Sequence, residues 1–448
     1  MEFLNNFVLP QSAEHIELLH YMLIIVQFLF IPFISIVLGG IFLSVLYKRK
    51  AYKKNDENYL KLAKEIAEIT TLNKSVGLIL GVIPVITSIL IYSQLLLNSQ
   101  TTNLNYLGLS LILISIGLVL VYSYRYSLTF NSIFSSLEKF NVSEETVIDD
   151  VHKLQAESKK ISQKAGIFGL LFIFFGYWFF ITGTTIPILI SDWNITSIIG
   201  GLFSWEVLSR FIYYTLFALA LTGGMILFTF LEDEKKKRII DQTYSTFVKK
   251  VIVKATFIPI IFIPVFALFN LFGLPKNTLT GTVFTYIIIS LVLLFLGYHF
   301  LYMLTKEYKG RTAALLFFTL IFSIAANIIG DQKAMATSTK VHSTVLSAEF
   351  DKYLAELKGE GKTVELNGAE IYEVKCASCH KWDQKLVGPA HKDVIPKYVG
   401  KEAQLVAFIR NPVKVDPAFP QMPNPGLKPD EAKAVADYLL KTYNEKNK

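Results

Sequence analysis

The chain has 448 residues, 52% of them hydrophobic and 18% charged, and its formal net charge is +8. Its apolar residues come in long blocks rather than in the alternation of a soluble domain, which indicates a membrane protein in contact with lipid. The positive charge does not indicate a nucleic-acid partner, because the basic residues cluster in short segments beside those blocks, as they do in cytoplasmic loops.

Eight apolar blocks are each long enough to cross a bilayer, which takes about 20 helical residues. They cover residues 20–46, 75–97, 104–124, 166–190, 209–231, 255–274, 282–304 and 312–330. We therefore predict an all-α fold, in which a polytopic transmembrane helical bundle over residues 1–330 precedes a small α-helical domain.

The basic residues predict the orientation of the bundle. They follow the first, fifth and seventh spans: Lys48, Arg49, Lys50, Lys53 and Lys54; Lys235, Lys236, Lys237 and Arg238; and Lys306, Lys309 and Arg311. Loops rich in Lys and Arg stay in the cytoplasm, so both termini are expected outside. This predicts a multi-pass protein of the cytoplasmic (inner) membrane whose carboxyl-terminal domain lies on the periplasmic, outer side.

Residues 331–348 are hydrophilic and contain several Ser and Thr residues. Such a composition is typical of a flexible tether. We therefore expect a flexible linker over 331–348 and a separate extracytoplasmic domain over 349–448.

The strongest chemical signal is the pentapeptide Cys376-Ala377-Ser378-Cys379-His380, which contains both cysteines of the chain. Two thiols at this spacing can form thioethers to the vinyl groups of a haem, and the adjacent imidazole can bind the iron. A structural zinc site would need a second pair of ligands at zinc spacing, and a thioredoxin-like pair would need a βαβ context. The motif predicts one covalent haem c, attached at Cys376 and Cys379 with His380 as an axial ligand.

The sequence around the motif resembles a class I cytochrome c. The resemblance rests on residues 367–372 before the motif, Gly388-Pro389-Ala390 after it, residues 408–412, Gln421-Met422-Pro423 and a final helix from 430 to 443. It implies that Pro389 supports the proximal imidazole and that the Met422 thioether is the distal iron ligand.

Chemistry also favours Met422. A sulfur axial ligand raises the reduction potential of a haem, as suits electron transfer. The other methionine of this region, Met335, precedes the motif in the expected linker. His391 is expected to be a surface residue.

The membrane domain resembles cytochrome bd quinol oxidase subunit I in two short stretches, residues 27–39 and 210–224. That family ligates haem through His where this chain has Gln27 and Tyr213, so the resemblance implies that both ligand positions are lost. His20 and His299 lie at different depths, separated by about 15 residues or roughly 20 Å of helix, so they cannot clasp one haem b. A haem b in the membrane domain is therefore not expected.

The predicted spans contain no Asp, Glu or Lys in their interiors, and Arg210 lies near the outer end of the fifth. Because ion-coupled pumps usually need buried ionisable residues, a stand-alone pump is disfavoured. Two functions remain. One is a membrane-tethered monohaem cytochrome that relays single electrons at the outer face of the membrane, as a subunit of a respiratory complex. The other is a quinol-oxidising subunit that passes electrons from a quinone site in the membrane domain to the haem c.

The expected partners are donor and acceptor redox proteins, other respiratory-complex subunits, membrane lipid and, for the second function, a quinone. Lysines cluster near the haem motif and could attract an acidic redox partner. They are Lys375, Lys381, Lys385, Lys392 and Lys397.

Overall fold

A computed structural model of the chain describes residues 9–71, 73–99, 101–137, 145–189, 198–236, 242–358 and 367–446. These residues form helices and their connections, and none of them is in a β-strand. Residues 190–197, at the start of the connection between the fourth and fifth predicted spans, and the basic residues Lys237 and Arg238 lie outside the described ranges.

The helices are numbered in chain order. They are α1 (Ala13–Lys54), α2 (Glu57–Thr70), α3 (Lys74–Gly81), α4 (Ile83–Leu95), α5 (Asn103–Leu137), α6 (Glu145–Leu189), α7 (Ile198–Leu202), α8 (Trp205–Lys236), α9 (Gln242–Phe272), α10 (Gly281–Lys306), α11 (Gly310–Ser338), α12 (Lys340–Leu357), α13 (Gly368–Lys375), α14 (His391–Val394), α15 (Glu402–Arg410) and α16 (Pro429–Lys446). Short 3₁₀ turns lie at Lys276–Thr278 and Ile395–Tyr398.

Among the described residues, eight helical stretches are long and apolar enough to cross a membrane, and each overlaps one of the eight predicted spans. They are α1, α3 with α4, α5, α6, α8, α9, α10 and α11. The all-α polytopic architecture is thus confirmed. Several helices run well past the apolar block that predicts them; α1, for example, has 42 residues. Hydropathy marks only the part of a helix that matches lipid, whereas backbone hydrogen bonding continues into polar flanks.

The chain divides into two compact units, one of residues 20–92 and 99–338 and the other of residues 1–19, 93–98 and 339–448. We call the first the membrane unit and the second the carboxyl-terminal unit.

Small residues and buried hydroxyls join the helices of the membrane unit. A Cβ on Gly39 of α1 would come within 2.3 Å of the Thr222 hydroxyl on α8, so only glycine permits this close approach. The hydroxyls of Ser35 and Tyr177 share a hydrogen bond of 3.1 Å between α1 and α6. Membrane helices associate through such close packing and interhelical hydrogen bonds, because lipid offers no hydrophobic driving force between them.

The structure corrects the expectation of a flexible linker at 331–348. Helix α11 continues to Ser338, and α12 begins at Lys340. The Thr337 and Thr344 hydroxyls each donate a 2.9 Å hydrogen bond to the carbonyl one turn earlier, so the polar side chains that suggested a tether are satisfied within helices. Ala334 and Leu346 are buried, which shows that these helices pack rather than extend freely.

Three helices enclose the core of the carboxyl-terminal unit. Helix α16 packs against α13 and α15, and α12 packs against α15. The buried core residues are Tyr372, Cys376, Ala377, Ile395, Leu405, Ile409, Leu427, Ala432, Val435, Ala436, Leu439 and Leu440. The first cysteine of the motif therefore belongs to this core.

Candidate functional site

Helix α13 ends directly before the motif and places Cys376 in the core. The Asn367 side chain caps it by accepting a 3.2 Å hydrogen bond from the amide of Ala369, and the helix ends at Lys375. The amides of Cys379 and His380 then donate to the Cys376 carbonyl, at 3.1 and 3.0 Å. This single turn brings the two thiols and the imidazole together, as residues three and four apart lie on one face of a helical turn.

Neither cysteine is in a disulfide; Cys376 is buried and Cys379 is partly buried. Burial, with a smaller contribution from the neighbouring Cys379, raises the pKa of the Cys376 thiol. Both sulfurs are free of disulfide bonds and are therefore available for covalent attachment to a ligand.

The imidazole of His380 is held in one orientation. Its Nδ1 lies 3.1 Å from the carbonyl oxygen of Pro389. A carbonyl can only accept, so Nδ1 carries the proton and Nε2 keeps the lone pair that a metal ion would bind. Such an outer hydrogen bond fixes the ring orientation of a metal-binding histidine.

The backbone at Gly388 packs closely against the His380 ring and leaves no space for a larger residue at position 388. A Cβ on Gly388 would lie 2.2 Å from His380 Cε1, and the Gly388 amide donates 3.0 Å to the Cys379 carbonyl. The Tyr372 hydroxyl donates 3.2 Å to the His380 carbonyl. The structure thus brings Cys376, Cys379, His380 and Pro389 into one site, in an arrangement that fits a covalently attached haem.

His391 is a member of this site that the sequence did not reveal, and the expectation that it lies at the surface is wrong. It is 6% exposed, and its ring stacks on that of His380 with the centroids 4.9 Å apart. Burial and, to a smaller extent, the adjacent His380 lower the pKa of His391 to about 4, so the ring is neutral near pH 7. The amide of His391 donates a 3.1 Å hydrogen bond to the carbonyl oxygen of Lys381. No sequence spacing marks this contact, because a loop folds back to make it.

Met422 lies in the segment without regular secondary structure that connects α15 and α16. Its side chain is partly buried, whereas Gln421 and Pro423 on either side are exposed. Met422 is thus the least exposed residue of its tripeptide.

The membrane unit contains a polar cluster that the sequence analysis missed. Arg210 of α8 forms an ion pair with Asp331 of α11, at 2.8 Å between Nη1 and Oδ1. The composition places Asp331 at the start of the expected linker, whereas in the structure α11 continues past it. The predicted topology could have indicated this pair. The start of the fifth span, with Arg210, and the end of the eighth span, next to Asp331, are both predicted on the outer side, so the two charges are expected at similar depth.

Comparison with known proteins identifies the carboxyl-terminal unit. A sequence model of the cytochrome c family matches residues 366–442. Cytochrome c-551 of Pseudomonas denitrificans is 39% identical over 79 residues, which are 16% of this chain and 94% of that protein. Cytochrome c-551 of Azotobacter vinelandii is 37% identical over 79 residues, again 16% of this chain and 94% of its own length. Cytochrome c-552 of Nitrosomonas europaea is 34% identical over 70 residues, 14% of this chain and 67% of that protein.

The matched region coincides with the site and its supporting helices α13 to α16. The chain therefore belongs to the cytochrome c family through a class I monohaem domain, a c-type electron-transfer domain joined to a membrane-spanning region of eight helices.

Proposed function

We propose that the protein relays single electrons at the outer face of the cytoplasmic membrane, as a membrane-anchored monohaem cytochrome c within a respiratory complex. The observation that carries this proposal is the fixed His380 imidazole, which is held by Pro389 beside two free thiols. Membership of the cytochrome c family supports the same chemistry.

Four side chains of this chain would hold the haem c. Cys376 and Cys379 would form the thioether links, and His380 Nε2 and the Met422 sulfur would bind the iron. Pro389 positions His380 through its carbonyl. The haem supplies reversible one-electron chemistry, and methionine as the second axial ligand keeps its potential high. The His391 ring stacks on the His380 imidazole and the Tyr372 ring packs against His391, which limits the access of water to the imidazole.

The redox partners are proposed to be acidic at their contact surface. All five lysines that the sequence places near the motif, from Lys375 to Lys397, are exposed. Complementary charge speeds the encounter of redox proteins and is screened by salt. Electron transfer to such a partner should slow as ionic strength rises.

The first experiment is to purify the full-length protein from its native host with its bound pigment. A pyridine haemochrome spectrum with one haem c per chain supports the proposal, and a haem b component would contradict the expectation for the membrane unit. Co-purifying subunits, identified by mass spectrometry, test the respiratory complex. A colourless protein would overturn the proposal.

A second candidate function is quinol oxidation, with electrons passing from the membrane unit to the haem c domain. The observation that favours it is the Arg210–Asp331 pair inside the membrane unit. Ionisable residues within a membrane are costly and usually serve a ligand or transport function. The test is whether the purified chain, without other subunits, reduces its own haem when a quinol is added.

A further inference from the structure

Asp331 is the centre of a buried polar cluster. Besides the ion pair between its Oδ1 and Arg210, its Oδ2 accepts a 3.1 Å hydrogen bond from the Tyr214 hydroxyl. Asn327, one turn earlier on α11, donates 3.5 Å to the same hydroxyl. The side chains of Arg210 and Asp331 are only 6% and 18% exposed, so the pair is largely shielded from its surroundings.

Such a pair is poorly explained by stability alone. Removing two charges from water costs several kcal/mol per ion, and a buried pair recovers this only with good geometry and further hydrogen bonds. An apolar pair of similar volume would serve packing at least as well. A residue of this kind within a membrane span points to a ligand.

The cluster opens onto a cleft that is formed by α8, α9, α10 and α11. Its polar wall consists of Arg210, Tyr213, Asn270, Ser290, Asn327 and Asp331. Its apolar wall includes Leu271, Leu274, Val283, Ile287, Leu291 and Leu294. A mostly apolar cleft with a few convergent polar groups is the usual form of a small-molecule site.

The mouth of the cleft lies at the surface of the membrane unit, on helices that are long and apolar enough to cross a membrane. Leu271, Ile287 and Leu291 are partly exposed, and the neighbouring Phe272 and Ile288 are 79% and 58% exposed on segments that can contact lipid. The cavity volume of the whole cleft is about 20 Å³. That is room for one water or one ligand oxygen. A bound ring would therefore lie in the apolar mouth and direct a single oxygen inwards.

The polar groups at the inner end of the cleft determine which kind of ligand oxygen fits there. Arg210 and Asn327 carry N–H donors, and the Asp331 carboxylate is an acceptor. A hydroxyl is the oxygen that both donates and accepts, and the apolar mouth suits an aromatic ring to which it is attached. Entry from lipid requires a molecule that dissolves in the membrane.

We propose that this cleft binds the head of a membrane-soluble hydroquinone, with one ring hydroxyl directed at Asp331 and Arg210. This inference deepens the second proposed function, because it names the site and the class of ligand. It concerns binding only, so it can be tested without electron transfer.

The experiment measures equilibrium binding of decylubiquinol to the full-length protein in lipid nanodiscs. The protein is first reduced with ascorbate, so that no acceptor is available and binding is independent of haem reduction. A failure of binding then disproves the site, whereas a failure of the quinol-dependent haem reduction described above disproves the function.

Two matched substitutions test the location. Ile287→Trp fills the mouth of the cleft, whereas Ile288→Trp adds the same bulk to the adjacent, 58% exposed position on α10. We expect at least a tenfold loss of affinity for the first and no change for the second. Asp331→Asn tests the polar end and should also weaken binding at least tenfold.

Retained haem content and a single size-exclusion peak identify variants that still fold. If Asp331→Asn fails this check, the Trp pair still decides the question. Equal affinity in the wild type and Ile287→Trp, or no saturable binding in the wild type, would overturn the proposal.

Discussion

His380 Nδ1 and the carbonyl oxygen of Pro389 lie 3.1 Å apart, and this one contact determines how the site can work. It commits the ring proton to Nδ1 and so leaves Nε2 as the ligand atom. The contact joins the motif to the loop that follows it, so both must fold before the imidazole is oriented.

Gly388→Ala should disturb this orientation. Its Cβ would lie 2.2 Å from His380 Cε1, so the imidazole or the loop has to move. Overpacking of this kind costs about 1–3 kcal/mol. We expect a lower Tm and a shifted reduction potential, measured by thermal melts and redox titration of the haem absorption. Ser378→Ala is the control, because Ser378 is exposed inside the motif and should leave both values unchanged. A wild-type Tm and reduction potential in Gly388→Ala would mean that the loop around residue 388 can move without disturbing His380.

Met422→Ala should remove the sulfur-to-iron absorption band near the red end of the oxidised spectrum and lower the reduction potential. The reason is that loss of a thioether ligand stabilises the oxidised iron relative to the reduced iron. Met335→Leu is the matched control, because Met335 is fully buried in α11 and lies in the membrane unit. An unchanged band in Met422→Ala would assign the distal position to another residue.

Replacing Cys376 or Cys379 with Ser should weaken covalent haem attachment, and the double variant should abolish it. A denaturing gel stained for haem separates covalent from bound pigment. Membrane insertion should be unaffected, since the motif lies in the carboxyl-terminal unit, outside the eight apolar helices. Haem that remains on the double variant through denaturation would refute attachment at these thiols.

The number of membrane helices and the motif were both predictable, because each depends on local sequence. An apolar block of about 20 residues needs no partner to be recognised, and the spacing of Cys376, Cys379 and His380 is a property of five consecutive residues. The supporting role of Pro389 is implied by the family resemblance and stays a prediction; in the structure its carbonyl oxygen lies 3.1 Å from His380 Nδ1.

Features that depend on tertiary packing were not predictable in the same way. The helical state of residues 331–348 follows from burial of Ala334 and Leu346, which composition alone does not show. The pairing of Arg210 with Asp331 joins two distant helices. The stacking of His391 on His380 depends on a loop that returns to the motif.

The orientation of the membrane unit can be tested with two cysteine substitutions that flank α10. Lys276→Cys lies in the connection before this helix and Glu307→Cys directly after it, and both positions are exposed. The distribution of basic residues predicts that Lys276 is outside and Glu307 is in the cytoplasm. A membrane-impermeant thiol reagent applied to intact cells should label only Lys276→Cys. After membrane disruption both variants should react, which serves as the control. Labelling of Glu307→Cys alone in intact cells would place the haem domain in the cytosol.

The last prediction concerns how α12 is held within the carboxyl-terminal unit. Asp351 of α12 pairs with Arg410 at the end of α15, at 3.0 Å between Oδ2 and Nη2, with side chains 35% and 20% exposed. Partly exposed pairs contribute about 1 kcal/mol or less. Asp351→Asn should therefore lower the Tm of the haem domain slightly, and high salt should reduce the difference from the wild type. Lys352→Gln is the control, because its pair with Glu356 lies within α12 and is 80% and 61% exposed. If both variants melt alike at low salt, the Asp351–Arg410 contact does not stabilise the packing of α12 on α15.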